Sequence, residues 1–222
     1  MRVSRIQAAE NRETVIDVAS RLFRERGFDG IGLKDLMKGA GLTQGAFYKQ
    51  FASKEDLAVQ ASRRALESAF SRWSAATAAK PEDPLGAVMA FYLSMEHREE
   101  KMDGCPIVAL GSDAARQGSD VKASFEAGIK AHLEVLGRMV AAMDAKEPKG
   151  KAMAILSAMV GAVTLSRAVN DPDLAQAFLD AAAKQVREAV SFWLAQDERP
   201  LQGGSARSFF SLVSDRPSGN AA

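Results

Sequence analysis

Residues 32–57 read GLKDLMKGAGLTQGAFYKQFASKEDL, and their apolar spacing decides how the rest of the chain is read. Leu33, Leu36 and Met37 recur at helical spacing and stop at Gly39-Ala40-Gly41. Gly41 supplies the left-handed backbone that a sharp corner needs. Leu42 packs under that corner, and Thr43 is a good N-cap for a second helix. In it Phe47 and Phe51, four apart, share a face that buries against the first helix. Thr43, Gln44, Lys49 and Gln50 fall mainly elsewhere and stay available to a partner. Ser53 caps a third helix with Glu55 and Asp56 in its first turn, where carboxylates suit the helix dipole. The pattern predicts a helix-turn-helix whose hydrogen-bonding face is left free.

This stretch resembles the DNA-binding motif of the TetR/AcrR family of bacterial regulators. The shared elements are Ala40-Gly41-Leu42-Thr43, Phe47-Tyr48, Phe51 and Ser53-Lys54-Glu55-Asp56-Leu57, at fixed offsets over 26 positions. Two positions depart from the pattern. Gly32 stands where the family usually has a hydroxyl, and it caps without a side-chain phosphate contact. Met37 stands where a small residue is common at the helix crossing, which sets the two helices slightly farther apart. The resemblance implies that Thr43, Gln44 and Lys49 face base edges in the major groove, with Ala46 against a thymine methyl. Gln suits adenine and Lys suits guanine in that groove. It implies phosphate bonds from Tyr48 and Lys54, the latter beside a helix N-terminus whose amides also attract anions. It also implies a ligand-responsive repressor: a three-helix DNA reader carried on an all-helical sensing and dimerising body.

Composition permits this and does not demand it. A chain of 222 residues holds one large domain or two small ones. Its 7% aromatic share, nine Met and abundant Ala favour helix over sheet, so the expected fold class is all-α. No apolar run approaches the roughly 18–20 residues of a membrane span, and no secretory signal opens the chain. A single Cys makes no internal disulfide, which fits a reducing cytoplasm. Residues 1–57 carry ten Lys or Arg against eight Asp or Glu, too small an excess to argue nucleic acid by itself. Placement argues instead: Lys49 and Lys54 lie beside the open face of the motif.

Upstream, Ser4 to Arg26 reads as one helix opened by a capping-box pattern, Ser4-Arg5-Ile6-Gln7. Its stripe of Val15, Val18, Ala19, Leu22 and Phe23 covers the motif. Arg2 and Arg5 stand at a terminus that an arm into the minor groove would use, a solvated end being the alternative. Downstream, the pattern from Ser53 runs without a breaker to Lys80-Pro81, a lever about 35–40 Å long at 1.5 Å per residue. Further helices are expected over 85–101, 107–115, 120–143, 151–170 and 173–196, and no strand is needed. The run His97-Arg98-Glu99-Glu100-Lys101 reads as a solvated helix end. Segment 151–170 is apolar nearly all round and needs burial on more than one side. A second subunit is the economical source of that burial, so a homodimer through 151–196 is expected, in which 151–170 and 173–196 pair with their symmetry mates as a four-helix bundle; Glu at Ala162 or Val163 would bury an unpaired charge if either lies in that interface. The expected domains are a DNA reader, 1–57, a ligand-binding and dimerisation body, 58–196, and a disordered tail, 197–222, rich in Ser, Gly, Pro and Arg.

Enzymatic readings find no support. There are two His, one Cys and no nucleophile–base pairing, so no catalytic residue, metal site or cofactor is expected. His132, amid apolar residues, reads as a core or pocket-wall residue. Cys105, between Gly104 and Pro106 before a short helix, has two readings. It is a buried small hydrophobe, or a thiol activated by the helix dipole and responsive to electrophiles. The expected effector cavity lies among the helix from Ser53, segment 85–115 and helix 120–143, lined by Phe91, Tyr92, Met95, Cys105, Ile107, Leu136 and Met139. Such walls suit a small hydrophobic or aromatic molecule. A near-palindromic operator follows from pairing two motifs about a two-fold axis. The alternative class is a helical small-molecule binder or catalyst whose helix-turn-helix is incidental. Activation in place of repression stays open, as do the effector, the operator and the regulated genes.

Overall fold

The local signals read in 32–57 shape the backbone as expected. The computed structural model describes residues 4–143 and 146–197; Arg2 and the tail call on 198–222 lie outside them. Helix α1, Arg5–Arg26, opens at Ser4, whose hydroxyl accepts the Gln7 amide at 3.1 Å. Helix α2, Leu33–Gly39, ends in a Schellman turn: Gly41 sits at φ +70° and donates to the Lys38 carbonyl, while Leu42 donates to Met37. Only a residue without Cβ adopts that φ at no cost. Helix α3, Gln44–Phe47, is a single turn, shorter than the motif's second helix was read to be. The cause is local. The Phe47 carbonyl accepts both the Gln50 amide (2.8 Å) and the Phe51 amide (3.0 Å), so the chain tightens into a turn over 48–50. Phe47 and Phe51 still stack, with centroids 5.4 Å apart, and both are buried. Met37 is fully buried in the same core.

Helix α4, Lys54–Ala79, is the lever: 26 residues, or about 39 Å. Ser53 accepts the Asp56 amide, and Asp56 accepts the Ala52 amide, a reciprocal cap that holds its start. Asp83 caps α5, Pro84–Tyr92. The single helix expected over 85–101 is broken at Leu93-Ser94, because the Ser94 hydroxyl accepts the His97 amide and starts α6, Met95–Glu99. Helix α7 spans Pro106–Ala114, α8 Ser119–Ala141, α9 Pro148–Ala168 and α10 Pro172–Asp197. Prolines open α7 and α9 at positions where a missing N–H costs nothing. Among the described residues all regular structure is helical.

Two apolar cores are strung along α4. One gathers Phe23, Leu36, Met37, Phe47 and Leu57 from the motif and draws in Leu110 and Ala114 of α7 and Val121 and Phe125 of α8. The other lies under α5, α8, α9 and α10 around Trp73, Tyr92, Leu136, Ile155 and Leu179. The reader's core therefore borrows side chains from well beyond residue 57.

Helix α9 corrects two expectations. Its 21 residues, with a mean hydropathy of 1.2 over its most apolar window, are long and apolar enough to cross a bilayer by length and composition. It packs instead as a core helix between α8 and α10, with Ala152, Ile155, Leu156, Met159, Ala162, Val163 and Ser166 buried. Ala162 and Val163 thus face their own protomer's core and are not free for a second subunit. Met153 and Leu165 on α9, and Leu174, Phe192 and Leu194 on α10, are the large apolar side chains these two helices leave exposed.

Candidate nucleic-acid interface and its tie to the body

The single turn of α3 presents a continuous open edge. Thr43, Gln44, Gly45, Tyr48 and Lys49 are exposed, Ala46 is half-buried against the reader core, and Lys54 is half-buried at the start of α4. No hydrogen bond or ion pair engages the side chains of Thr43, Gln44, Lys49 or Lys54 among the described residues. Tyr48 is 67% exposed, an unusual position for an aromatic ring, and only its inner edge rests on Phe47. Gln50 differs from expectation: it is half-buried, and its side-chain oxygen is shut from solvent without a partner. The arrangement offers one amide, one hydroxyl, one phenol and two ammonium groups along one edge, uncommitted to the fold. Gly32 caps α2 with no side-chain bond and open space around its Cα.

Behind this edge the reader is clamped to α4. Arg64 binds Glu13 and Asp17 on α1, and Arg12 reaches Gln60 while its guanidinium lies 5.2 Å from the Phe51 ring centre. From the other side Asp113 of α7 accepts the Phe28 amide at 3.3 Å.

A second tie was not read from the sequence. Residues 97–105, expected as a solvated end and a loop, form a knot to which three helices send arginines. Arg24 of α1, nearly buried, donates to the Ser20 and Gly104 carbonyls at 2.9 and 3.0 Å, and Arg21 pairs with Asp103 at 3.0 Å. Burial pulls the Arg24 pKa down, partly offset by Asp103. Arg72 of α4 donates to the Asp103 carbonyl and pairs with Glu100, its guanidinium 4.7 Å from the Phe91 ring centre. Arg167 of α9 donates to the carbonyls of Arg98 and His97, each at 2.8 Å. In return Arg98 donates to the Ser166 and Val169 carbonyls at the end of α9.

At the centre His97 is 2% exposed. Its Nε2 accepts the Cys105 amide at 3.0 Å, so Nδ1 carries the proton and donates to the Tyr92 carbonyl at 2.7 Å. Burial holds this imidazole neutral, with its pKa lowered to about 4.

The expected cavity residues come together in the body. Tyr92, Cys105, Leu136 and Met139 are buried in the body core, and Phe91, Met95 and Ile107 pack against it. The space where Phe91, Tyr92 and Cys105 meet is a crevice of about 10 Å³, enough for little more than one water. Burial also pushes the Cys105 thiol pKa up, against the dipole that was expected to lower it. The buried Tyr92 hydroxyl has no well-formed hydrogen bond; the Cys105 thiol is its polar neighbour. Among the described residues no group of three or more His, Cys, Asp or Glu could hold a metal.

Residues 15–61, which carry the turn and the whole open edge from Thr43 to Lys54, match the family described as bacterial regulatory proteins, tetR family. Over these residues the chain carries a tetR-family domain. Over 118 residues it is 30% identical to the transcriptional repressor KstR2 of Mycolicibacterium smegmatis, a stretch covering 52% of this chain and 55% of that protein. The match thus spans little more than half of that relative's length. The fold superimposes on a TetR regulator from Chloroflexus aurantiacus with a TM-score of 0.72 at 25% identity, over 83% of this chain and 96% of that one. It also superimposes on the reduced form of Escherichia coli NemR, with a TM-score of 0.69 at 21% identity, over 81% and 96%. Its named relatives are transcriptional regulators and not enzymes.

Proposed function

We propose that this chain is a homodimeric, ligand-responsive TetR-family repressor that binds a near-palindromic operator through the edge formed by Thr43, Gln44, Ala46, Tyr48, Lys49 and Lys54. The observation that carries the reading is that this edge is exposed and its polar groups are unspent. A protein gains nothing in stability from such an arrangement. Gln44 and Lys49 suit adenine and guanine edges, and Tyr48 and Lys54 suit phosphates. The repressor names of its relatives set the expected sign of regulation.

One motif supplies one recognition element, so two must be presented about 34–36 Å apart on successive major grooves. The second comes from a symmetry mate packed on α9 and α10, whose exposed Met153, Leu165, Leu174 and Phe192 make an apolar surface that a partner would cover. The reader is residues 1–57 and the body 58–196, joined by α4 and by the arginine knot. An effector acts by biasing the tilt of α4, and by linkage operator DNA weakens effector binding by the same factor. The raised Cys105 pKa favours a reversible hydrophobic effector over an electrophile.

Selection of bound duplexes from a random pool tests the reading. The expected product is an enriched inverted repeat with half-sites one helical turn apart; no enriched sequence, or a lone half-site, contradicts it. Leu165→Glu should yield monomers in sedimentation and abolish enrichment, whereas a monomeric unmutated chain at micromolar concentration contradicts the dimer.

A further inference from the structure

One apolar surface lies outside the reader, the knot and most of the face assigned to the symmetry mate. Along the outer side of α8 run two half-open hollows of about 410 and 480 Å³, which adjoin and share Leu133 and Met153 as walls. The first lies between the end of α8 and the start of α9, lined by Gly137, Ala141 and Pro148. The second lies between α7 and α8, lined by Ala114, Phe125 and Ile129. Together they make one trough, and Met153, where it borders the mate's face, is 54% exposed. At the α9 end the rim is basic. The side chains of Arg138 and Lys149 line it and make no hydrogen bond or ion pair among the described residues. An uncovered apolar trough of this kind marks a docking surface.

The chain carries a segment that matches it. Residues 208–214 read SFFSLVS. Phe209, Phe210, Leu212 and Val213 have the spacing of one helical face, and Ser208, Ser211 and Ser214 fall on the other. An amphipathic turn of this form is what an apolar groove accepts from a peptide. So short a segment cannot hold a helix by itself, so the pattern has value only against a surface. Over 208–215 the one charge is the carboxylate of Asp215, opposite in sign to Arg138 and Lys149.

The point at which the chain leaves the body also fits. Helix α10 ends at Asp197, and Trp193 near that end has its ring centre 5.0 Å from the Lys151 ammonium. The end of α10 therefore stands beside the start of α9, where Pro148 and Lys149 line the trough. Residues 198–207 separate it from Ser208 and span up to about 33–36 Å when extended. From Phe125 to Ala141 the trough runs about 24 Å along α8, all of it within that reach.

We infer that residues 208–214 dock in the trough of their own chain, with Phe209, Phe210, Leu212 and Val213 laid over Ile129, Leu133 and Met153 and Asp215 toward Arg138 and Lys149. The short tether holds the segment at an effective concentration on the order of millimolar. A contact with a dissociation constant of about 1 mM is then occupied about half of the time. The docked segment straps the start of α9 to the α7–α8 hairpin. Ala114 and Phe125, which line the trough, belong also to the reader's core, so the strap bears on the reader without touching α4. The docking itself does not depend on the regulator reading proposed above.

Methionine-methyl NMR of the full chain tests the contact. Aromatic rings over Met153 displace its methyl resonance. Phe209→Ser together with Phe210→Ser, both outside the described residues, should therefore move that resonance and leave Met37, buried in the reader core, in place. A peptide of residues 205–216 at millimolar concentration should restore it. Photocrosslinking then locates the seat: p-benzoylphenylalanine at position 210 should join to Ile129, Leu133 or Met153. In a mixture of unlabelled and ¹⁵N-labelled chains, each joined pair should come from one chain. An unmoved Met153 resonance, no restoration by the peptide, or crosslinks to other parts of the molecule would each overturn the assignment. Pairs of mixed label would give the trough to a second copy's segment and overturn it as well.

Discussion

Lys49 and Lys54 at the reading edge hold no partner, while Arg24, Arg72 and Arg167 each bind backbone carbonyls or carboxylates in the segment from His97 to Gly104. Both regions are polar and both depend on cations. They differ in where the polar groups are spent. In the knot the charges are partly buried and every bond is internal, so their removal should register as lost stability. At the edge they are solvated and idle, so their removal should leave stability alone and register only when a partner is present.

The largest expected effect is at Arg24. Arg24→Met should lower unfolding stability by about 2–4 kcal/mol, because the Ser20 and Gly104 carbonyls lose a charged donor in a buried place. Lys49→Met should stay within about 0.5 kcal/mol of the unmutated chain. Urea unfolding of the two variants compares the regions directly, and equal losses would erase the distinction.

Next is His97, the hinge of the knot. Its pKa is about 4 when folded, against an ordinary value of 6.5, so the unfolded chain binds more protons between those values. Stability from this group is full above about pH 6.5 and falls as the pH drops toward 4, by on the order of 3 kcal/mol at most. His97→Gln should flatten that part of the pH profile, at a cost of about 1–3 kcal/mol at neutral pH. An unchanged acid limb would show that His97 is not held neutral by the fold. The smallest effect is at the edge of the reader. Gly32→Ser should add a few tenths of a kcal/mol to thermal stability through a better α2 cap, and the hydroxyl should also strengthen DNA binding slightly.

The reader was legible because its signals are local. Gly41, Phe47, Phe51 and Ser53 act within four or five residues of themselves, and the turn they predict is the turn observed; Thr43 takes the N-cap position of α3 but its hydroxyl makes no cap bond. The shortening of α3 was not legible, since it depends on one carbonyl shared by two amides. The knot was hidden for a different reason. Arg24 and Arg167 find their carbonyl partners about 70 to 80 residues away, and no periodicity in the chain announces that. One cue was present and passed over: Ser94, three residues before His97, is a helix cap, and a new helix there turns His97 inward. Because the 151–170 segment is apolar on most sides, its sequence alone leaves open whether Ala162 and Val163 face a second subunit. The structure shows that its own neighbours claim that face, leaving Leu165 and Met153 outward.

The central claim is that the edge from Thr43 to Lys54 reads DNA. The most direct measurement is fluorescence anisotropy of the selected operator and of random duplex over a range of salt, for the unmutated chain, Gln44→Ala and Lys54→Ala. Gln44→Ala should weaken only the operator, by roughly 1–3 kcal/mol, leaving random duplex and the salt slope unchanged. Lys54→Ala should weaken both duplexes alike and reduce the salt slope by about 1. Equal losses on both duplexes for Gln44→Ala, or an unaltered salt slope for Lys54→Ala, would contradict the account.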